Sequence, residues 1–393
     1  MTHRELFYRH LAQTSSFPLA LEIERAEGLY MHGVDRTSYL DLISGISVSA
    51  LGHRHPAVVQ AVREQLDKYM HLMVYGEFVQ PPQTELAELL VSHLPDTLDN
   101  VYLTNSGSEA VEGALKVAKR YTGRTEIVSF RNAYHGSTQG ALSVGGCERL
   151  KNAFRPLLPD IRHLNFGAEE ELAQITESTA CVIAETIQGE AGAKVPDASF
   201  MKALRQRCDE KGALLILDEI QAGMGRTGKL WAFQHFDVVP DLLCLAKGFG
   251  GGLPIGAFVG NKNVMQCLTD KPVLGHISTF GGNAVCAAAA KATLHTIIKE
   301  RLWEKAAALE TLFREKLRHH KIKNISGKRL LLAVEFEDFR ENKRIIDKCI
   351  ERGLLLDWFL FADHAMRIAP PLILDEKTAE KACAVIINTI NEI

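Results

Sequence analysis

Lys247 ends the apolar run "DLLCLA" (241–246), and four of the next five residues are glycine. A lysine bound for solvent needs no such surroundings. An amine withdrawn from water has its neutral form favoured, and a neutral amine attacks an aldehyde to give a Schiff base. Glycine lets backbone approach a bulky ligand without a Cβ in the way. The string "GFGGG" discriminates weakly by itself. It is not a G-x-G-x-x-G fingerprint, and no glycine-rich turn ending in Lys-Ser/Thr follows a strand, as a P-loop requires.

Two further groups complement such an amine. In "TNSGSEAVEGALKVAKRYTG" (104–123), Ser106-Gly107-Ser108 precede a helix whose apolar positions, Ala110, Val111, Ala114, Leu115, Val117 and Ala118, share one face. Free backbone N–H groups and a serine hydroxyl at that helix start suit a phosphate. Read more plainly, the same residues are a serine N-cap with an acidic first turn. Asp218 closes "ALLIL" (213–217). A carboxylate there is either a polar strand terminus or the partner that keeps a cofactor's ring nitrogen protonated. Gln221 follows, able to bond a ring substituent, and "GMGRTG" (223–228) reads as a flexible turn.

These residues need a frame. From residue 56 onward, "HPAVVQAVREQLDKYM" and "PQTELAELLVSHL" have helical spacing. Short apolar runs then alternate with helical stretches: "EIVSF" (126–130), "ACVIAE" (180–185), "ALLILDE" (213–219), "DLLCLA" and "IGAFVG" (255–260). Strands alternating with helices predict an α/β fold with a mostly parallel sheet covered on both faces. Ligands bind beyond the carboxyl ends of such strands. Asp218 and Lys247 both end strands, so both are expected at one rim.

Before that frame, residues 21–43 read as short antiparallel strands, with turns at Glu27-Gly28 and His32-Gly33. After "FGGNAVCAAAA" (280–290) come two helical segments to about residue 319, strands over 329–336 and 365–370, and a helix over 375–391. The expected division is 1–50 as an N-terminal segment joining a small α+β domain, 51–290 as the large domain, and 291–393 as the C-terminal small domain. No repeat or linker separates them.

The net charge of −3 carries no basic footprint for nucleic acid. The eight cysteines form no C-x-x-C pair and read as reduced structural thiols, with no zinc site. "MTHRELFYRHLAQ" has no signal-peptide core, and no apolar run reaches bilayer length. A soluble cytoplasmic protein without membrane partners is the expectation.

The motifs in combination, "TNSGSEA", "AYHGST", "ETIQGEAG", "LDEIQAGMGRTG", "LAKGFGGGLPIGA", "STFGGN" and "MRIAPPL", resemble those of class III pyridoxal-phosphate aminotransferases. This is the fold type I family of ornithine, acetylornithine and 4-aminobutyrate aminotransferases, and the resemblance runs from about residue 39 to 372. It implies pyridoxal 5'-phosphate as cofactor, bound covalently to Lys247. Gly107 and Ser108 would hold its phosphate, Tyr134 would stack on its ring with His135 beside it, and Glu185 would join the cofactor site. Asp218 would meet the ring nitrogen and Gln221 the ring hydroxyl. Thr279 would reach the phosphate in a neighbouring subunit, which implies a homodimer with shared sites. Arg367 would clamp a substrate carboxylate, with Glu190 as a switch that pairs with it while an ω-amine is the donor.

The implied reaction moves an amino group from an ω-amino acid or diamine-type donor (ornithine, acetylornithine or 4-aminobutyrate-like) to a 2-oxo acid, with 2-oxoglutarate expected. One departure matters. The family's ornithine-, acetylornithine- and 4-aminobutyrate-type members carry arginine after the "HG" of this motif, where this chain has Ser137. That arginine holds the distal carboxylate, so a pyruvate-dependent ω-transaminase is the alternative. Decarboxylases and aminomutases on the same scaffold share the cofactor motifs, and a catalytically silent cofactor-binding protein is a third possibility. Val111 stands where many members have asparagine. Tyr75, Phe78, Trp358 and Phe359 are candidate pocket aromatics, although aromatic residues are more often core.

Overall fold

The computed structural model describes residues 1–74 and 76–393, and Tyr75 lies outside the described residues. The N-terminal turn signals are realised as a three-stranded meander: β1 (Ile23–Glu27), β2 (Tyr30–Gly33) and β3 (Ser38–Asp41), each antiparallel to the next. Gly28 takes the positive φ of +55° that the first turn requires.

Seven strands form the central sheet: β4 (Asn100–Thr104), β5 (Glu126–Phe130), β6 (Ile161–Leu164), β7 (Thr179–Glu185), β8 (Leu214–Asp218), β9 (Leu242–Leu245) and β10 (Gly256–Gly260). They hydrogen-bond in the order β4-β10-β9-β8-β7-β5-β6. Only β10 is reversed, antiparallel to both its neighbours. Alternate residues of these strands feed two cores. Leu215, Leu217, Leu243 and Leu245 belong to one, and Leu214, Ile216, Leu242 and Cys244 to the other. Near-continuous apolar runs are what a sheet covered on both faces demands. The Gly107–Thr122 helix supplies Ala110, Val111, Ala114, Leu115, Val117 and Ala118 to the second core. Val111 is therefore a packing residue.

The C-terminal part adds β11 (Asn324–Lys328), β12 (Leu331–Glu335), β13 (Leu354–Leu355), β14 (Asp357–Trp358) and β15 (Ala365–Ile368). An antiparallel sheet runs β11-β12-β15-β14, while β13 lies parallel to β3 and closes the N-terminal sheet. N- and C-terminal segments thus share one sheet. A left-handed turn over Ser44–Ser47, with φ between +51° and +65°, connects this region to the centre. Non-glycine residues held there cost on the order of 1–3 kcal/mol each. Asp41 offsets the cost by accepting from the Ile43 and Ser44 N–H groups, and Ser44 Oγ donates to the Ala369 carbonyl.

Two expectations are corrected here. Residues 222–227 are buried, and Arg226 donates from inside the core to the Leu330 and Pro370 carbonyls. "GMGRTG" is therefore a packed anchor and not a flexible turn. Of the glycines after Lys247, only Gly252 lines the cavity described below. A Cβ on Gly251 would strike Thr293, and one on Gly248 would touch Ser47, Ala50 and Met224. Most of that glycine run serves packing of the 247–250 turn against its neighbours.

Candidate active site

The carboxyl ends of β4, β5, β7, β8 and β9 deliver residues to one cavity of about 440 Å³. It is lined by Ser106, Gly107 and Ser108 after β4, Tyr134 and His135 after β5, and Glu185, Asp218 and Lys247 at the ends of β7, β8 and β9. Register makes the convergence unavoidable, because Glu185 pairs with Asp218, and Asp218 with Cys244. Gln221 also lines it.

Lys247 is partly buried, and its backbone takes φ +48°. Burial pulls its amine down to about 8, against the opposing pull of Glu190 and with Arg367 adding to the fall. Asp218 is buried. Its Oδ2 lies 2.8 Å from His135 Nδ1, and its Oδ1 accepts from the Ile220 N–H at 2.9 Å. Glu185 accepts from the Tyr134 N–H at 3.0 Å and the Gly189 N–H at 2.8 Å. Burial raises its carboxyl to about 7, with His135 opposing. Both Glu185 oxygens are committed to backbone, so this residue fixes the loops that carry Tyr134 and Glu190.

Beside the cavity, Glu190 and Arg367 form a buried two-pronged pair, with Nη1 to Oε1 at 3.1 Å and Nη2 to Oε2 at 2.9 Å. Gln221 Nε2 donates to Glu190 Oε1 at 2.7 Å, and the Leu360 N–H donates to Oε2 at 3.1 Å. Burial pushes the Glu190 carboxyl up, but Arg367 outweighs it and the group sits below its usual range. Phe359 is buried with its ring 4.4 Å from the guanidinium, while Phe78 is exposed. Ser137 donates its N–H to Ser108 Oγ at 3.3 Å. Thr279 is exposed and lines no part of this cavity, although neighbouring Ser278 Oγ accepts from the cavity residue Asn105.

The residues present fit a phosphorylated pyridine aldehyde. Gln221 Oε1 and His135 Nε2 are buried without a hydrogen-bond partner among the described residues. The helix beginning at Gly107 opens on the cavity with first N–H groups that have no intrahelical acceptor. A Cβ on Gly107 would fall 2.7 Å from Ile220, a cavity residue. Sequence reasoning missed Val48, Asn105 and Ile220 on the cavity wall. The last two adjoin Ser106 and Gln221 in the motifs, a signal that could have found them. Asp357, 3.1 Å from Arg367 Nε, carried no local signal, because only strand register brings it there.

This sheet and site define a fold type I pyridoxal-phosphate enzyme. The family model described as aminotransferase class-III matches residues 11–390. The chain is similar to an acetylornithine aminotransferase from Methanopyrus kandleri, 38% identical over 390 residues, which cover 98% of this chain and 97% of that protein. Among solved structures, a transaminase from the marine bacterium Virgibacillus superposes with a TM-score of 0.93 at 26% identity, covering 99% of this chain and 98% of that one. Ornithine aminotransferase from Toxoplasma gondii, crystallised with partial occupancy of PLP at its active site, gives 0.90 at 30% identity, covering 99% and 94%. The chain belongs to the class III aminotransferase family, and is an aminotransferase that uses pyridoxal 5'-phosphate.

Proposed function

We propose that this aminotransferase moves an amino group from an ω-amino acid or diamine-type donor to 2-oxoglutarate by a ping-pong reaction. The buried Glu190–Arg367 pair beside Lys247 carries this reading. A carboxylate that covers an arginine is useful where two differently charged substrates alternate. With an ω-amine bound, Glu190 masks Arg367. When the oxo acid enters, Glu190 moves aside and the planar guanidinium takes the carboxylate through two parallel bonds. The similarity to acetylornithine aminotransferases supports such a donor.

The bound cofactor supplies an aldehyde and an electron-accepting ring. The chain's own residues do the rest. Lys247 Nζ, at the cavity wall, would hold the cofactor's aldehyde and would serve as the base that moves a proton from the donor. Asp218, steadied by His135, would hold the ring nitrogen protonated. Gly107 and Ser108 would hold the phosphate, Tyr134 would support the ring, and Gln221 would bond its hydroxyl.

Ser137 favours pyruvate as a second reading. It lines a neighbouring cavity with Tyr134, where Lys151 is the one charged lining residue among the described residues. The Lys151 ammonium donates to the Gly145 carbonyl at 2.7 Å and sits 3.4 Å from Glu148. It is therefore already engaged where a distal carboxylate would need a cation. Initial rates with ornithine, acetylornithine, 4-aminobutyrate, β-alanine, lysine and diamines against both acceptors decide the matter. Turnover with 2-oxoglutarate and an ω-amine is expected, and turnover with pyruvate alone selects the second reading. Under that second reading, Ser137→Arg shifts kcat/KM toward 2-oxoglutarate by about tenfold, the scale of one charge-assisted bond.

A homodimer belongs to the same proposal. Thr279 is exposed between exposed Ile277 and Phe280, and Met70, Leu72 and Met73 are exposed as well. The Phe280 ring lies 4.8 Å from that of His71, and Asn283 donates to the Met70 carbonyl, so these segments form one patch. A continuous apolar patch of this kind marks an interaction surface.

A further inference from the structure

Arg367 has more counter-charge than one glutamate supplies. Its Nε lies 3.1 Å from Asp357 Oδ1. The N–H does not point along that line, and neither atom has a hydrogen-bond partner among the described residues. Register puts Asp357 directly opposite Arg367 across β14 and β15, so the closeness is built into the sheet. The Trp358 carbonyl accepts from Nη2 at 3.3 Å, and Phe359 lies against the guanidinium. Asp357 therefore meets the arginine at Nε, where Glu190 does not, and Trp358 shares Nη2 with Glu190.

The misaligned contact has a use once Glu190 leaves. Were Glu190 the only carboxylate at Arg367, its departure would leave an uncompensated charge in a buried site, and the arginine would turn toward water. With Asp357 at 3.1 Å, a small rotation completes the Nε hydrogen bond instead. We propose that Asp357 is a positioning residue that keeps Arg367 paired and fixed while Glu190 is displaced, so that the glutamate moves and the arginine stays. This rests on the reading of Arg367 as the carboxylate clamp. In the resting site Glu190 orients both Nη groups. In the oxo-acid complex that task falls to Asp357, so losing Asp357 costs the second state more than the first.

The two half-reactions of the holoenzyme, followed separately by single-turnover absorbance, test this. In Asp357→Asn the half-saturating concentration of oxo acid (2-oxoglutarate and pyruvate, each tried) rises about tenfold, as expected for a loosened positioning group. The amine half, run with the best ω-amine donor, stays within about twofold of wild type. Asp357→Ala behaves alike, with circular dichroism of both variants matching wild type, since the side chain is 22% exposed and lies outside the hydrophobic core. Asp357→Asn changing neither half, or both equally, overturns the proposal. Arg367→Lys separates the two failures. If it spares the oxo-acid half, the clamp reading itself falls. If it impairs that half while Asp357→Asn does not, only the role given to Asp357 falls.

Discussion

Lys247 combines two properties that a solvent lysine lacks, a neutral amine within reach of physiological pH and a fixed direction. Burial sets the first, bringing the amine down to about 8 from its ordinary 10.5. The φ of +48° at the end of β9 sets the second. The sign of the pH effect follows. Below pH 8 the ammonium dominates, and each unit of acidification cuts the neutral fraction about tenfold. The rate at which added pyridoxal phosphate bonds to the apoprotein is therefore expected to climb from pH 6 to 8 and level off above. Borohydride trapping and intact mass report it. A rate still climbing toward pH 10.5 would show that burial does not set the amine. Lys247→Ala gives no covalent adduct at any pH and no measurable transamination. At this scale the sequence was informative where a residue type has few uses, as with a strand-end lysine or aspartate. It was silent where one residue's partner is set by another's position. Nothing near Gln221 foretells that its amide is bonded to Glu190, and nothing near Asp357 foretells Arg367.

Elements set the precision with which these groups meet. The Gly107–Thr122 helix must lie close on the sheet for its N-terminus to reach the cavity, and Gly113 permits it. A Cβ there would fall 2.2 Å from the Phe258 ring, which is stacked on Tyr102 with centroids 4.9 Å apart and cannot retreat. Gly113→Ala must lift the helix or strain β10. Overpacking of this kind costs on the order of 2 kcal/mol, read as a lower urea midpoint for the apoprotein. Because Gly107 and Ser108 begin the same helix, the cofactor should also dissociate faster on dialysis. An unchanged midpoint would show that the helix has slack. The five inner strands of the large sheet were legible because burial on both faces leaves continuous apolar runs, whereas its edge strands β4 and β6, only partly buried, were not. β11 ("NISGK"), β13 and β14 were not, since they are short and owe their strand geometry to distant partners. The glycines after Lys247 were misread for a related reason. Their number is visible in the sequence, but what each one packs against is not.

Across the whole molecule, the site is assembled from places that no local pattern joins. Glu190 and Arg367 are 177 residues apart and meet only because β15 lies beside the large sheet's rim. The rule that ligands gather at strand carboxyl ends made the Lys247–Asp218 convergence readable, and the family motifs supplied Arg367. A single chain leaves one thing unfinished, which is the face around Thr279. Met70, Met73, Ile277 and Phe280 expose between 39% and 66% of their surface in one region, the face to which the proposed homodimer assigns the partner copy. If a second copy covers that face, Ile277→Glu with Phe280→Glu buries two carboxylates in an apolar interface, a cost of several kcal/mol per charge. The protein should then elute at once, and not twice, the 43.5 kDa chain mass in light scattering. It should also lose cofactor more readily, because Thr279 would no longer reach a neighbouring site. Circular dichroism of the double variant should match the parent, since neither side chain belongs to the buried core. A variant that stays dimeric would place the interface elsewhere and remove Thr279 from the partner's site.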